Sequence, residues 1–419
     1  MKLALGRTHR GVLSVGSGTV AGQAVAALSA PFLTRLYTPE QFGIYTYLLA
    51  LTMILSSVAA LRLEVAVPLP ASHDDARGVI RTASLAILVI SALTALGVLV
   101  VVALGLDDRS MPTLSWALLP VLVALTAFFT LFSQVALRER AYTVVGVRAF
   151  IQYGGAAAGQ FLLSPLTQSA AGLLGGQAIG RLLGLLGLAR TVRPYLAPTP
   201  VRVRAVLRRY SHFPLMLAPS ALLNLLGTYI PVFVITHLFG NAAAGNLGVA
   251  QQVLLLPAGL VATAVGQVFV GELSSRLRSE EGGLTRVFLR ATRALAIPGV
   301  LLFAGVIALA QPVFPILFGT RWDHAADFAQ AMALSVSLGV IVSPLSYLLI
   351  AMERAKEVLA LDILRIVLVG GAGLAAAPLH WNSTQSAWVM FSGQVIVYVV
   401  TWLASLVAVR RADARLLVN

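Results

Sequence analysis

The chain has 419 residues, of which 58% are hydrophobic and 11% charged; a soluble domain carries about 25% charged residues, so a water-soluble globule is excluded. Its net charge of +14 would suit nucleic acid in a soluble protein, but here the basic residues stand between apolar runs, and no nucleic-acid partner is expected. Cysteine is absent, which removes disulfides and thiolate metal sites and says nothing of compartment.

Apolar runs of about 20 residues recur along the whole sequence, each long enough to cross a hydrocarbon core of about 30 Å. Lipid offers no partners to backbone polar groups, so helices are expected. The residue-by-residue alternation of a membrane barrel is missing. The first run, 12–35, follows Lys2, Arg7 and Arg10. It is longer than the apolar core of a signal peptide and more runs follow, so it reads as a span. Spans are then expected over 42–64, 81–104, 114–136, 145–164 and 169–190. A basic stretch with Pro194, Pro198 and Pro200 intervenes. The remaining spans are 213–238, 244–268, 293–318, 328–350, 358–378 and 385–408. The fold class is therefore an all-α membrane protein with twelve transmembrane helices.

Loop charge orients these spans. Of the 30 Lys and Arg residues, 26 fall on the side of the N-terminus, three (Arg35, Arg109 and Arg321) on the other, and Arg181 inside a span. Positive charge stays on the cytoplasmic face, so both termini are expected in the cytoplasm of a multi-pass inner-membrane protein.

The basic stretch divides the chain into an N-terminal six-helix bundle, 1–192, a cytoplasmic linker, 193–212, and a C-terminal six-helix bundle, 213–419. Pro39-Glu40-Gln41-Phe42-Gly43 after span one has a weak counterpart in Asn241-Ala242-Ala243-Ala244-Gly245 after span seven. Gly43 and Gly245 are 202 residues apart, close to half the length. Six spans per half give the two bundles the same topology, related by a pseudo-two-fold axis along the membrane normal. Carriers of this plan hold substrate in a central cavity near the midplane.

Several stretches carry a family resemblance. They are Pro31-Phe32-Leu33-Thr34-Arg35-Leu36-Tyr37-Thr38-Pro39-Glu40-Gln41-Phe42-Gly43, then Leu61-Arg62-Leu63-Glu64-Val65-Ala66-Val67-Pro68, then Arg208-Arg209-Tyr210-Ser211-His212-Phe213-Pro214, and Leu317-Phe318-Gly319-Thr320-Arg321-Trp322. In order and spacing the sequence resembles the polysaccharide (Wzx-like) flippases of the multidrug/oligosaccharidyl-lipid/polysaccharide exporter superfamily. The resemblance implies a V-shaped pair of bundles and a substrate partner, an undecaprenyl-diphosphate-linked oligosaccharide repeat unit, moved from the cytoplasmic to the periplasmic leaflet. It also implies work beside a polysaccharide polymerase and chain-length machinery, among membrane lipids, without a cofactor. The related peptidoglycan-precursor flippases usually have fourteen spans, and twelve are expected here.

Moving a diphosphate and sugars through oil requires fixed positive charge and amide hydrogen bonds. Arg suits this because its guanidinium stays charged and binds phosphate oxygens in a fork. Arg181 lies nine residues before Arg190, about 13 Å inside the membrane edge at helical rise. Ionisable residues at such depth mark a pathway. Gly172, Gly176, Gly180 and Gly184 run four apart beside it and form a ridge for close helix packing, with Arg181 about 100° away. Arg35 and Arg62 near span ends, and Glu64 as a proton or cation carrier, complete the first-half candidates. Glu64 lies about 200° from Arg62 on a continuous helix, too far to pair. Asn224, Gln251 and Gln267 are candidate sugar ligands in the second half, with interhelical packing as their plainer role. Asp362 and Arg365, three apart, read as a structural pair. No Walker A loop, zinc spacing or nucleophile elbow occurs, so no enzymatic role and no metal site are expected. The competing readings are a drug or metabolite antiporter of the same superfamily, which calls for a deep acidic residue in the first half, a membrane-bound polymerase or glycosyltransferase, which calls for catalytic periplasmic loops, and a scaffold.

Overall fold

A computed structural model describes residues 2–105, 111–167, 169–195, 203–278, 282–352 and 354–418, with most side chains from 16 onward; those at 261–268, at most positions of 270–278, at 355 and at 415–418 are outside the described set. Among the described residues thirteen α-helices run in chain order: α1 Lys2–Leu36, α2 Pro39–Ala59, α3 His73–Ala103, α4 Thr113–Arg138, α5 Tyr142–Thr167, α6 Ala170–Val192, α7 Val203–Arg209, α8 Ala218–Arg278, α9 Leu284–Phe318, α10 Asp323–Ala351, α11 Ala355–Arg365, α12 Gly371–Leu374 and α13 Ser383–Val418. No strand occurs among the described residues. Each of the twelve expected spans overlaps helix, though 42–64 leaves the α-helix after Ala59 and 358–378 after Leu374, and eight of the described helices are long and apolar enough to cross a membrane.

Local chemistry sets the ends. Thr38 caps α2 by accepting from the Gln41 N–H while the Gln41 side chain accepts from Thr38 N–H, and Pro39 fills the first helical position. This reciprocal cap satisfies two backbone donors that the first turn leaves orphaned. Ser72 caps α3, with Asp74 and Asp75 in its first turn, where acids complement the helix dipole. Gly240 breaks α8 with φ 81°, so two expected spans meet there with no loop between them. A second difference is the end of α2. It stops at Ala59, five residues short of the span expected to Glu64. Leu61 and Arg62 turn left-handed, at φ 54° and 58°, and Leu63–Ala66 continues as a 3₁₀ turn.

The chain divides into two compact units, Met1–Leu225 and Leu226–Asn419. In the first, α5 packs along α6 and α1, α6 also meets α4, and α4 meets α2 and α3. The glycine ridge finds its partner in α5: a Cβ at Gly180 would land on the Gln152 carbonyl, and one at Gly159 would lie 2.9 Å from the Gly176 Cα. Gly184 receives the Phe129 ring from α4. Leu63, Ile80, Ile87, Leu131 and Val192 are fully enclosed in a shared cluster. Of the stretch expected as linker, the described parts Arg193–Tyr195 and Val203–Arg209 pack on α3 of this unit. Val206 of α7 touches Gly78, and Arg209 pairs with Asp75 at 3.3 Å. In the second unit α10 packs between α9 and α13, and α11 packs on α13. Phe288, Trp322 and Phe328 are fully buried there. Leu85, Leu88, Leu93, Leu96 and Leu99 of α3 are exposed, the outward apolar face that a lipid solvent favours.

Candidate functional site

Arg181 is the twelfth residue of α6 and 9% exposed. With the ridge held against α5, its side chain turns toward α2, where Nη2 lies 4.0 Å from the Met53 sulfur. One turn earlier on α6, Gln177 donates to the Tyr45 hydroxyl at 2.7 Å. Tyr45 and Met53 are eight apart, about two turns, and so share a face of α2. A fixed cation, an amide and a phenol therefore line one α2–α6 seam inside the first unit. The bottom of the seam is held by Gln160, which donates to the Leu173 carbonyl at 3.2 Å while its own carbonyl accepts from Tyr37 at 2.9 Å. Tyr37 lies between α1 and α2, and burial pushes its phenol up to about 12, so it stays a neutral donor. Gln152, 7% exposed, keeps a side-chain oxygen with no hydrogen-bond partner.

Arg62 and Glu64 sit 3.3 Å apart as an ion pair, with Glu64 the more enclosed at 5% exposure. This corrects the expectation that they cannot meet. The 200° separation belongs to a continuous helix, and the left-handed turn at Leu61 and Arg62 swings the guanidinium back over the carboxylate. Glu64 lies beyond the end of α2. Burial raises its pKa, and its backbone hydrogen bond and Arg62 offset only part of that. Attraction and raised pKa point in opposite directions here, and desolvation is the larger effect.

The other candidates are dispersed. Arg35 is exposed in the last turn of α1 and Asn224 is exposed early in α8. The Gln267 side chain lies outside the described residues. Gln251 lines a cavity of about 300 Å³ in the second unit, together with Arg365, Gln394 and Tyr398. From sequence, Arg365 reads only as half of a structural pair, and Gln394 and Tyr398 do not stand out as site residues. A signal is nonetheless present for two of them: Gln394 and Tyr398 are polar residues near the middle of the apolar run 385–408. Asp362 is buried, at 4% exposure, and is not among the cavity's lining residues.

Residues 32–327 match the family of polysaccharide biosynthesis proteins. The chain belongs to that family. Two curated relatives are similar to it. The teichuronic acid biosynthesis protein TuaB of Bacillus subtilis (strain 168) is 25% identical over 189 residues, 45% of this chain and 39% of that protein. The succinoglycan biosynthesis transport protein ExoT of Rhizobium meliloti (strain 1021) is 24% identical over 312 residues, 74% of this chain and 62% of that one. The chain thus spans less than two thirds of either relative's length. In three dimensions it is similar to the lipid II flippase MurJ in an inward closed conformation, with a TM-score of 0.72 at 14% identity over 97% of this chain and 90% of that one. An inward-facing multidrug resistance MATE family transporter of the MOP superfamily follows at 0.60 and 16%, covering 96% of both chains. At such identities the likeness establishes the fold, which this polysaccharide biosynthesis protein shares with multi-pass membrane transporters. No group of three or more metal-binding side chains occurs among the described residues.

Proposed function

We propose that the protein flips undecaprenyl-diphosphate-linked oligosaccharide repeat units from the cytoplasmic to the periplasmic leaflet, as a non-enzymatic step of surface polysaccharide assembly. The observation that carries the reading is Arg181, nine-tenths buried midway along a membrane-length helix and joined there by Tyr45 and Gln177, in a chain of a polysaccharide biosynthesis family. Oil rejects a diphosphate because its hydration is lost. A permanent guanidinium offsets that loss with charge and with paired N–H donors. In this reading the chain crosses the inner membrane twelve times with both termini cytoplasmic. Arg181 engages the diphosphate, and Arg35 and Arg62 guide it at span ends. Glu64 gives up or takes a proton at the cytoplasmic end, and Asn224, Gln251 and Gln267 meet the sugars. A polymerase and chain-length machinery act on the delivered units. The naming of one similar fold as a lipid II flippase, and of one relative as a transport protein, supports transport of a lipid-linked glycan.

Deleting the gene tests this. Lipid-linked repeat units should accumulate on the cytoplasmic leaflet and surface glycan should fall. Normal surface glycan with no trapped units contradicts the proposal.

A further inference from the structure

The cavity of the second unit has a chemistry of its own. Its walls come from four helices: Gln251 on α8, Ser335 and Gly339 on α10, Arg365 at the end of α11, and Tyr398 on α13. Phe391, Gln394 and Tyr398 fall on one face of α13, three and four residues apart, the spacing of side chains stacked on a helix. Arg365 is the only charged residue among the described lining residues. Its guanidinium carbon lies 5.9 Å from the centre of the Tyr398 ring, and its buried Nε has no hydrogen-bond partner.

Two glycines frame this pair. A Cβ at Gly227 would come within 2.8 Å of the Arg365 Cδ, and one at Gly339 within 3.1 Å of the Tyr398 hydroxyl. A side chain at either position would crowd the arginine or the tyrosine out of its present place. Directly after Arg365 the backbone widens into a π-turn, Ile366–Gly370, a distortion that recurs at functional sites. The arginine is thus held at the wall by packing, with part of its donor set uncommitted.

We propose that this cavity is a glycan subsite that selects one acidic sugar residue. The ring faces of Tyr398 and Phe391 suit the apolar face of a pyranose. The Gln251 and Gln394 amides suit its hydroxyls, and Arg365 suits a carboxylate. The volume of about 300 Å³ is at the small end for ligand pockets, so it admits one or two sugar rings and not a whole repeat unit. No acidic side chain lines it among the described residues, so nothing on its wall repels a uronate. The proposal deepens the flippase reading and rests on it for the source of the sugar, while the binding chemistry stands apart from transport.

The test uses the full-length protein in lipid nanodiscs, with methyl β-D-glucuronide and its neutral counterpart methyl β-D-glucoside as probes, read by saturation-transfer NMR. The glucuronide should bind at least about tenfold more tightly than the glucoside, one charge-assisted contact being equal to roughly that factor. R365Q should abolish the preference, R365K should keep part of it, and G339A should weaken both probes. Each variant is compared only where its melting temperature matches the parent. Equal binding of the two probes, or an undiminished preference in R365Q, overturns the subsite. If the glucuronide preference holds while a deletion strain exports normal glycan, the flippase reading fails and the subsite stands. If lipid-linked units are trapped and no glucuronide preference is seen, the subsite fails and the flippase reading stands.

Discussion

The two units each hold an arginine, Arg181 midway along α6 and Arg365 at the end of α11, by opposite means. In the first, glycines close the packing. Gly155 and Gly159 on α5 face Gly176 and Gly180 on α6, and Arg181 emerges on the neighbouring face beside Met53 and Tyr45. In the second, glycines open it. Gly227 and Gly339 make space for Arg365 and Tyr398 at the wall of a cavity. The same residue type therefore either brings backbones together or leaves a hollow, and what decides is whether the atom opposite is backbone or the tip of a movable side chain.

The most damaging way to break the contrast is at Gly180. G180A places a methyl group on the Gln152 backbone, which cannot yield, and should cost about 3 kcal/mol by overpacking, with loss of folded protein on size-exclusion chromatography in detergent. G339A meets only a phenol tip and should leave yield unchanged. A smaller effect is expected at Glu64. Its raised pKa means that its contribution to stability is fully present below the ordinary glutamate range and is lost as pH rises through the folded value. The melting temperature of the parent should therefore decline over that window, and E64Q should lack that decline; an identical pH profile in both removes the buried carboxyl from the account. Tyr37 comes next. Y37F deletes the donor to the Gln160 carbonyl and should lower stability by about 1 kcal/mol, seen as a melting shift of a few degrees. The mildest is G97A. A Cβ there meets nothing within 4 Å, so the better helix propensity of alanine should raise stability by about 0.5–1 kcal/mol.

Much of this was legible in the amino-acid order, for reasons of length and solvent. A run of about 20 apolar residues has one stable form in oil, so each expected span overlaps helix even where its end does not. Arg181 announces itself as a lone charge in such a run, and the four-residue period of Gly172 to Gly184 gives the packing face without giving the partner. What escaped depends on backbone torsion or on convergence of distant segments. Leu61 and Arg62 adopt a left-handed turn that non-glycine residues seldom take, so α2 ends early and Arg62 reaches Glu64. The stretch at 193–212 carries too many prolines and arginines to suggest helix, yet Val203–Arg209 is helical and lies on α3. Gln251, Arg365 and Tyr398 are more than 30 residues from one another in sequence, and no local pattern joins them; packing alone makes them neighbours.

The most direct test of the account is a surface-glycan export assay on Arg181→Ala and Arg181→Lys, with membrane abundance of each variant held equal to the parent. A guanidinium that binds diphosphate through paired N–H donors predicts that export falls at least about tenfold in Arg181→Ala and that the lysine restores only part of it, since a point charge lacks the fork. Parental export from Arg181→Ala at equal abundance would contradict the account.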